Sequence, residues 1–287
     1  MSNKVIISAA LTGVIATRKQ SPYIPYTADE IAEEARRAVA AGAAIVHIHA
    51  RQDNGMPAFD VDSYAKIDAA VKAACADVII NYSTGAIGID RQTRIHQVSA
   101  LQPDMAALNM GSMNYAIYSR KAKAFYHDHV FANPFSDIQF FLEAINEAGT
   151  RPEMECFDTG HINNARPLID LGILRPPYQF SLIMGVLGGI PASTKNLVHQ
   201  VDQLPDNSFW QVIGIGAKQW KWVAAALTMG GNIRVGLEDN LYLPDGSVAK
   251  SNGESVAQAV ALARLLGVEP ASVAEARDIL QLPRKNS

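Results

Sequence analysis

His47 and His49 stand one residue apart at the end of the apolar run "AAIVHIHA". Side chains alternate between faces along a strand, so both imidazoles project from the same side. Two neutral imidazoles so placed can ligate one divalent ion. Catalytic zinc commonly takes two His and one carboxylate and keeps a position open. The segment "NIRVGLEDN" offers that carboxylate: Arg234, Gly236 and Glu238 share one face by the same alternation, and Asp239 begins the next loop. Glu238 is the third ligand in this reading. A carboxylate beside a fixed guanidinium stays ionised and oriented, which suits Asp239 and Arg234 to general-base work. An isolated H-x-H is more often a pair of hydrogen-bonded core residues or a phosphate site. Its place at a strand end, with a spare carboxylate to complete the set, favours the metal. The Arg–Asp pair reads equally well, on its own, as an ion pair closing a barrel end.

Positioning such groups needs a frame. Eight short runs read as strands: "KVIISAAL", "AAIVHIHA", "DVIINYST", "DMAALNMG", "RPEMECFD", "YQFSLIMG", "FWQVIGIG" and "NIRVGLED". Most are separated by helical segments. The clearest is "TADEIAEEARRAVAAG", with Thr27 as N-cap, Glu30 completing a capping box and Gly42 as stop. "SDIQFFLEAINEAG" repeats that layout with Ser136 as cap and Gly149 as stop. Near-continuous apolar strands alternating with helices predict an α/β protein with a parallel sheet. Eight repeats favour a single-domain (β/α)8 TIM barrel over residues 1–287, with an open doubly wound sheet as the alternative. The stretch 112–134 fits neither pattern and reads as a long active-site loop or a subunit contact.

Barrel enzymes gather their functional groups at the C-terminal strand ends. Polar residues do cluster where these runs stop: His47 and His49, Asn81 and Ser83, Asn109, Glu155 and Asp158, then Arg234, Glu238 and Asp239. In "NYSTGAIG", Ser83, Thr84 and Gly85 can present hydroxyls and backbone N–H groups to a carboxylate or phosphate, or form an ordinary turn. Glu155 joins by its strand-end position, while Asp158 serves equally as a helix cap. His96, His127, His129, His161 and His199 read as surface residues.

Composition narrows the partners. The 287 residues are 48% hydrophobic and 18% charged, with a net charge of −3. That balance gives no general attraction to nucleic acid or an anionic membrane. Cys75 and Cys156 fall at a helix end and in a strand, which argues against a disulfide framework. The N-terminal apolar run is too short for a signal peptide or a membrane span, so the expected location is the cytoplasm.

The motifs "AAIVHIHAR", "STG", "LNMGSMN", "PEMECFDTGHI", "MGVLGG", "VIGIGAKQW" and "GGNIRVGLEDNLYLPDG" resemble the β-keto acid cleavage enzymes, whose type member is the 3-keto-5-aminohexanoate cleavage enzyme. The resemblance runs from the first strand to "EARDILQL". It implies a zinc-dependent TIM barrel, a homotetramer, acting as an acyltransferase on a β-keto acid with acetyl-CoA as co-substrate. The implied products are acetoacetate and a new acyl-CoA. By resemblance, His47, His49 and Glu238 match the metal ligands, Arg234 and Asp239 the catalytic pair, and Ser83 and Asn109 the groups holding the substrate carboxylate. The same residues using water in place of CoA would make a zinc-dependent aldolase or hydrolase. Three departures stand out. Ile15 occupies the position where the type member has a glutamate for the substrate's amino group, which implies an uncharged or apolar acyl fragment here, since an unpaired ammonium is costly to desolvate. Ala107 replaces a hydroxyl, and Arg51-Gln52 stands where Arg-Asp is common.

Overall fold

A computed structural model describes residues 4–283. The eight runs form eight parallel strands that close on themselves: Ile7–Ala10, Ile45–Ile48, Ile79–Tyr82, Met105–Asn109, Arg151–Cys156, Tyr178–Met184, Ser208–Gly214 and Asn232–Val235. They pair in chain order, and Ile233–Val235 against Ile7–Ala9 shuts the circle. Closure decides for the barrel over the open sheet. The weakest run, "DMAALNMG", pairs with both neighbours.

Period-two alternation divides the strand residues into two cores. Outward-facing Val46, Ile48, Ile80, Leu108, Leu182 and Val212 pack against the surrounding helices. Inward-facing Ile45, Ile79 and Met105 pack with Ala276 and Leu280, so the helix Val273–Ile279 and the residue after it plug the N-terminal end. Each fully buried Ile contributes about 1.5–3 kcal/mol by leaving water. Above that apolar layer the interior turns polar. Glu153 accepts hydrogen bonds from Asn81, Ser181 and Gln211, the last at 2.8 Å, and Ser8 donates to Gln211 at 2.9 Å. All five are buried. Burial pushes the Glu153 carboxyl up, against the pull of Arg234. This layer is the floor of everything above it.

The helices follow the local rules of their sequences. For Ala28–Ala41, Thr27 accepts from the Glu30 N–H, Glu30 returns a bond to the Thr27 N–H at 3.0 Å, and Gly42 ends the helix in the left-handed region. Its face Ile31, Ala35 and Ala38 is fully buried. Ser136 is not the cap of its helix. Phe135–Glu147 starts earlier, with Pro134 at the N-cap and its carbonyl accepting from Asp137 and Ile138. Proline's fixed φ suits a helix entrance, so the start moves to it.

The segment 112–134 is an antiparallel hairpin, Met113–Ser119 against Ala124–Phe131, inserted after the fourth strand. Its turn carries no Gly, Pro or Asn. Lys123 itself adopts φ 49°, so the turn chemistry that marks hairpins is missing from the sequence. Its second strand is exposed except at Phe131, which removes the hydrophobic alternation as well. The hairpin base lies against the loop after the sixth strand. Gly188 (φ 104°) allows this contact, since a Cβ there would stand 1.8 Å from the Asn114 carbonyl oxygen.

Candidate active site

The C-terminal strand ends meet at one mouth. His47 ends up beside the first and third strands, in register with Ala10 and Asn81. Glu238 Oε1 lies 3.7 Å from His47 Nε2 and 3.5 Å from His49 Nε2, and one donor atom from each of the three falls within 4.8 Å of the others. Burial, reinforced by Arg234, drives the His47 pKa well below the usual histidine range, which keeps its imidazole neutral and its lone pair available. Burial alone would raise the Glu238 carboxyl, but Arg234 holds it well below the usual carboxylate range. Glu238 Oε2 is buried without a hydrogen-bond partner in the protein. Two nitrogens and an ionised carboxylate with a spare oxygen fit a divalent cation of the zinc kind.

Glu238 reaches this point because the chain turns tightly after the eighth strand. Gly236 takes φ 137°, and a Cβ there would stand 2.3 Å from the Ala10 carbonyl oxygen. The turn is pinned by Asn252, which accepts from the Leu237 N–H at 2.9 Å. Gly236→Ala is expected to cost about 1–3 kcal/mol of stability and to lower metal content by displacing Glu238. Thermal denaturation and metal analysis check this; an unchanged melting temperature with full metal occupancy would contradict it.

Arg234 organises the acids. It donates from Nε and Nη2 to Asp239, both at 2.8 Å, and from Nη2 to Glu238 at 2.7 Å. Its Nη1 stands 3.6 Å from Glu155 and makes no hydrogen bond in the protein. Burial pushes the Asp239 carboxyl up to about 6, against the pull of Arg234. Burial pushes Glu155 further, to about 8, and the neighbouring Glu153 adds to the rise. Near pH 7, Glu155 therefore carries a proton while Asp239 is ionised and close to its own pKa, the balance that favours a general base. Two ionised carboxylates then face one guanidinium. A divalent cation held by His47, His49 and Glu238 would turn that local excess of negative charge positive.

A group of polar side chains adjoins. Ser83, Gly85 and Asn109 line the cavity. Asn109 Nδ2 is a buried donor with no partner in the protein, and the Gly85 N–H is turned to Ser83 Oγ at 3.1 Å. Thr84 departs from its expected place: it is absent from the cavity wall, and its hydroxyl donates to the Ala107 carbonyl at 2.6 Å. Strand alternation sends it away from its neighbours. Ile15 lines the outer wall and is 49% exposed. Asp158 caps the short helix Thr159–Asn163.

Two other residues behave differently from their reading as sequence. His161 is buried, not on the surface, and its Nδ1 accepts from the Phe157 N–H at 3.3 Å. Arg51 carries a task the sequence does not disclose. It is buried and donates to the carbonyls of Gly13 (2.7 Å), Thr12 (3.1 Å), Ala16 (2.7 Å) and Gly55 (2.9 Å). It thereby fixes the loop that carries Ile15.

His49, Ser83, Gly85, Asn109, Glu155, Arg234, Glu238 and Asp239 share one cavity of about 870 Å³ at the barrel mouth, whose remaining lining is mostly apolar. Fold and site together define a (β/α)8-barrel enzyme with a His-His-Glu cluster beside an Arg–Asp pair. The profile of the beta-keto acid cleavage enzyme family matches residues 4–282, and the chain belongs to that family. It is 40% identical over 285 residues to the 3-keto-5-aminohexanoate cleavage enzyme of Fusobacterium nucleatum, covering 99% of this chain and 100% of that one. It is 37% identical to the 3,5-dioxohexanoate:acetyl-CoA acetone transferase of Paraburkholderia graminis, over 97% of this chain and 96% of that one. Among solved structures, apo ObcA matches with a TM-score of 0.77 at 23% identity, over 91% of this chain and 66% of that one, a likeness of fold.

Proposed function

We propose that this enzyme exchanges acyl groups between a β-keto acid and acetyl-CoA, releasing acetoacetate and the CoA ester of the remaining fragment. The observation that carries this reading is the Arg234–Asp239 pair set beside His47, His49 and Glu238 on the cavity floor. The names of its relatives, which specify keto acids and acetyl-CoA, support it. Zinc bound by His47, His49 and Glu238 would supply Lewis-acid polarisation of the substrate's carbonyl oxygen.

The protein's own groups account for the rest. Ser83 and the free amide of Asn109 hold the substrate carboxylate. Asp239 removes a proton from the carbon between the keto group and that carboxylate, and Arg234 keeps the base in place. The resulting carbanion attacks the acetyl carbonyl and expels CoA thiolate. The thiolate adds to the original keto carbon, and the bond between that carbon and the former carbanion breaks. The carbanion released by that cleavage takes back the proton held by Asp239, so acetoacetate leaves with the acetyl unit, the base is regenerated, and the remaining acyl group leaves on sulfur. The working form in this reading is a cytoplasmic homotetramer.

The acyl fragment is uncharged or apolar. Ile15 sits among Val14, Ile87 and Leu187 on the outer wall. The carboxylates lining the cavity are Glu155, Glu238 and Asp239, all on the floor around Arg234. Among the described lining residues no further carboxylate remains to pair with an ammonium, and an unpaired charge there is costly to desolvate. A panel of β-keto acids differing in charge and chain length, each supplied with acetyl-CoA, tests this. Neutral members are expected to give both products and amino members neither, with Ile15→Glu restoring the amino ones. Preference of the parent protein for amino substrates would overturn the assignment, and products formed equally well without acetyl-CoA would point to an aldolase or hydrolase.

A further inference from the structure

The acyl-exchange reading requires a place for the nucleotide half of CoA, which the floor of the cavity does not provide. The hairpin does. Its first strand forms one flank of the cavity through Tyr115, Ala116, Ile117 and Tyr118, and Arg120 continues that wall. Arg120 and Arg234 are the only Lys or Arg among the described cavity-lining residues, and Arg234 is committed to carboxylates. Arg120 opens a four-residue turn, Arg120–Lys121–Ala122–Lys123, held by the Ala122 N–H donating to Ser119 Oγ at 3.1 Å. All three cations are exposed, and none makes an ion pair or side-chain hydrogen bond among the described residues. Three like charges in four residues repel one another, and on an acidic protein this concentration suits an anionic ligand.

A second feature sits directly beside the turn. Tyr118 and Phe125 are cross-strand partners with ring centroids 5.0 Å apart, both exposed, at 43% and 58%. Exposed aromatic rings next to cations match a nucleotide, whose base stacks while its phosphates are paired. The span also suits it. Tyr115 is the first hairpin residue on the cavity wall and is close enough to Glu238, Asp239 and Glu155 to feel their charge. Arg120 lies five residue steps further on, about 17 Å at the usual rise. The pantetheine arm between sulfur and diphosphate has the backbone of roughly four extended residues, about 15 Å, so a thioester beside Tyr115 places its phosphates near the turn.

We propose that the hairpin tip is the recognition site for the nucleotide half of CoA, with Arg120, Lys121 and Lys123 pairing its phosphates and the Tyr118–Phe125 rings receiving its adenine. This rests on the acyl-exchange reading above.

The test compares the parent protein with the R120A/K121A/K123A variant, whose changes are all exposed and leave the barrel untouched. Acetyl-CoA and S-acetylpantetheine, which lacks the phosphates and the adenosine, are the acyl donors, and CoA binding is followed separately by calorimetry. The variant is expected to raise KM for acetyl-CoA and Kd for CoA about tenfold or more, with kcat and the S-acetylpantetheine kinetics unchanged. Tyr118→Ala is expected to weaken CoA without affecting S-acetylpantetheine. Unchanged CoA affinity in the triple variant would overturn the assignment, as would a larger loss in Lys218→Ala, at the entrance of the helix Gln219–Thr228. If the parent protein neither binds CoA nor uses acetyl-CoA, the acyl-exchange reading fails first and this site with it.

Discussion

The Asp239→Asn protein is expected to keep its fold and its bound metal while turnover falls by about 10²–10⁴-fold, the usual worth of a positioned base. The amide matches the carboxyl in shape, so it can still accept one of the two Arg234 hydrogen bonds, and Arg234 retains Glu238 at 2.7 Å. Removing either residue's charge from a buried pair normally costs stability. Circular dichroism and metal analysis on the same sample therefore separate lost chemistry from lost structure. The metal ligands are not altered, so content should stay stoichiometric. Turnover within about twofold of the parent would remove Asp239 from the role of base.

His49→Ala should produce the opposite pattern: a folded protein that no longer retains metal. His49 lies at the mouth on the cavity wall, beyond the end of its strand, so truncating it leaves the apolar core of the barrel untouched. It does remove one of three donors from a cluster that offers no fourth among the described residues. Protein purified with zinc and then dialysed is expected to hold well under one equivalent, with turnover lost in parallel. Stoichiometric metal after dialysis would overturn the ligand assignment. The two substitutions together form a contrast, since one removes chemistry without metal and the other removes metal first.

The sequence exposes the parts of this molecule that obey short-range rules. Eight apolar runs ending in polar residues give the barrel, and H-x-H with R-x-G-x-E-D places five site residues on two strand ends. Those signals survive because strand alternation is fixed geometry and the strand ends of a barrel converge by construction. What the sequence conceals is whatever depends on contacts between distant segments. Arg51 looks like any basic residue after a strand, yet its four carbonyl acceptors come from two separate loops. Glu153 reads as an ordinary strand polar, although Asn81, Ser181 and Gln211 converge on it from other strands. His161 is buried because Gly111, distant in sequence, packs against its ring while the Phe157 N–H bonds its Nδ1. The hairpin is the largest element read as a loop, for want of a turn signal and of a buried face. Thr84 shows the limit from the other side: a motif can predict the right turn and still assign one hydroxyl too many to the ligand.

The most direct measurement is to supply acetyl-CoA labelled with ¹³C at both acetyl carbons, together with an unlabelled neutral β-keto acid, and to locate the label in the products. Attack by the keto acid's carbanion on the acetyl carbonyl places both labelled carbons in the methyl and keto positions of acetoacetate and leaves the new acyl-CoA unlabelled. Acetoacetate without label, label in the new acyl-CoA, or labelled free acetate formed by hydrolysis would contradict acyl exchange at this site.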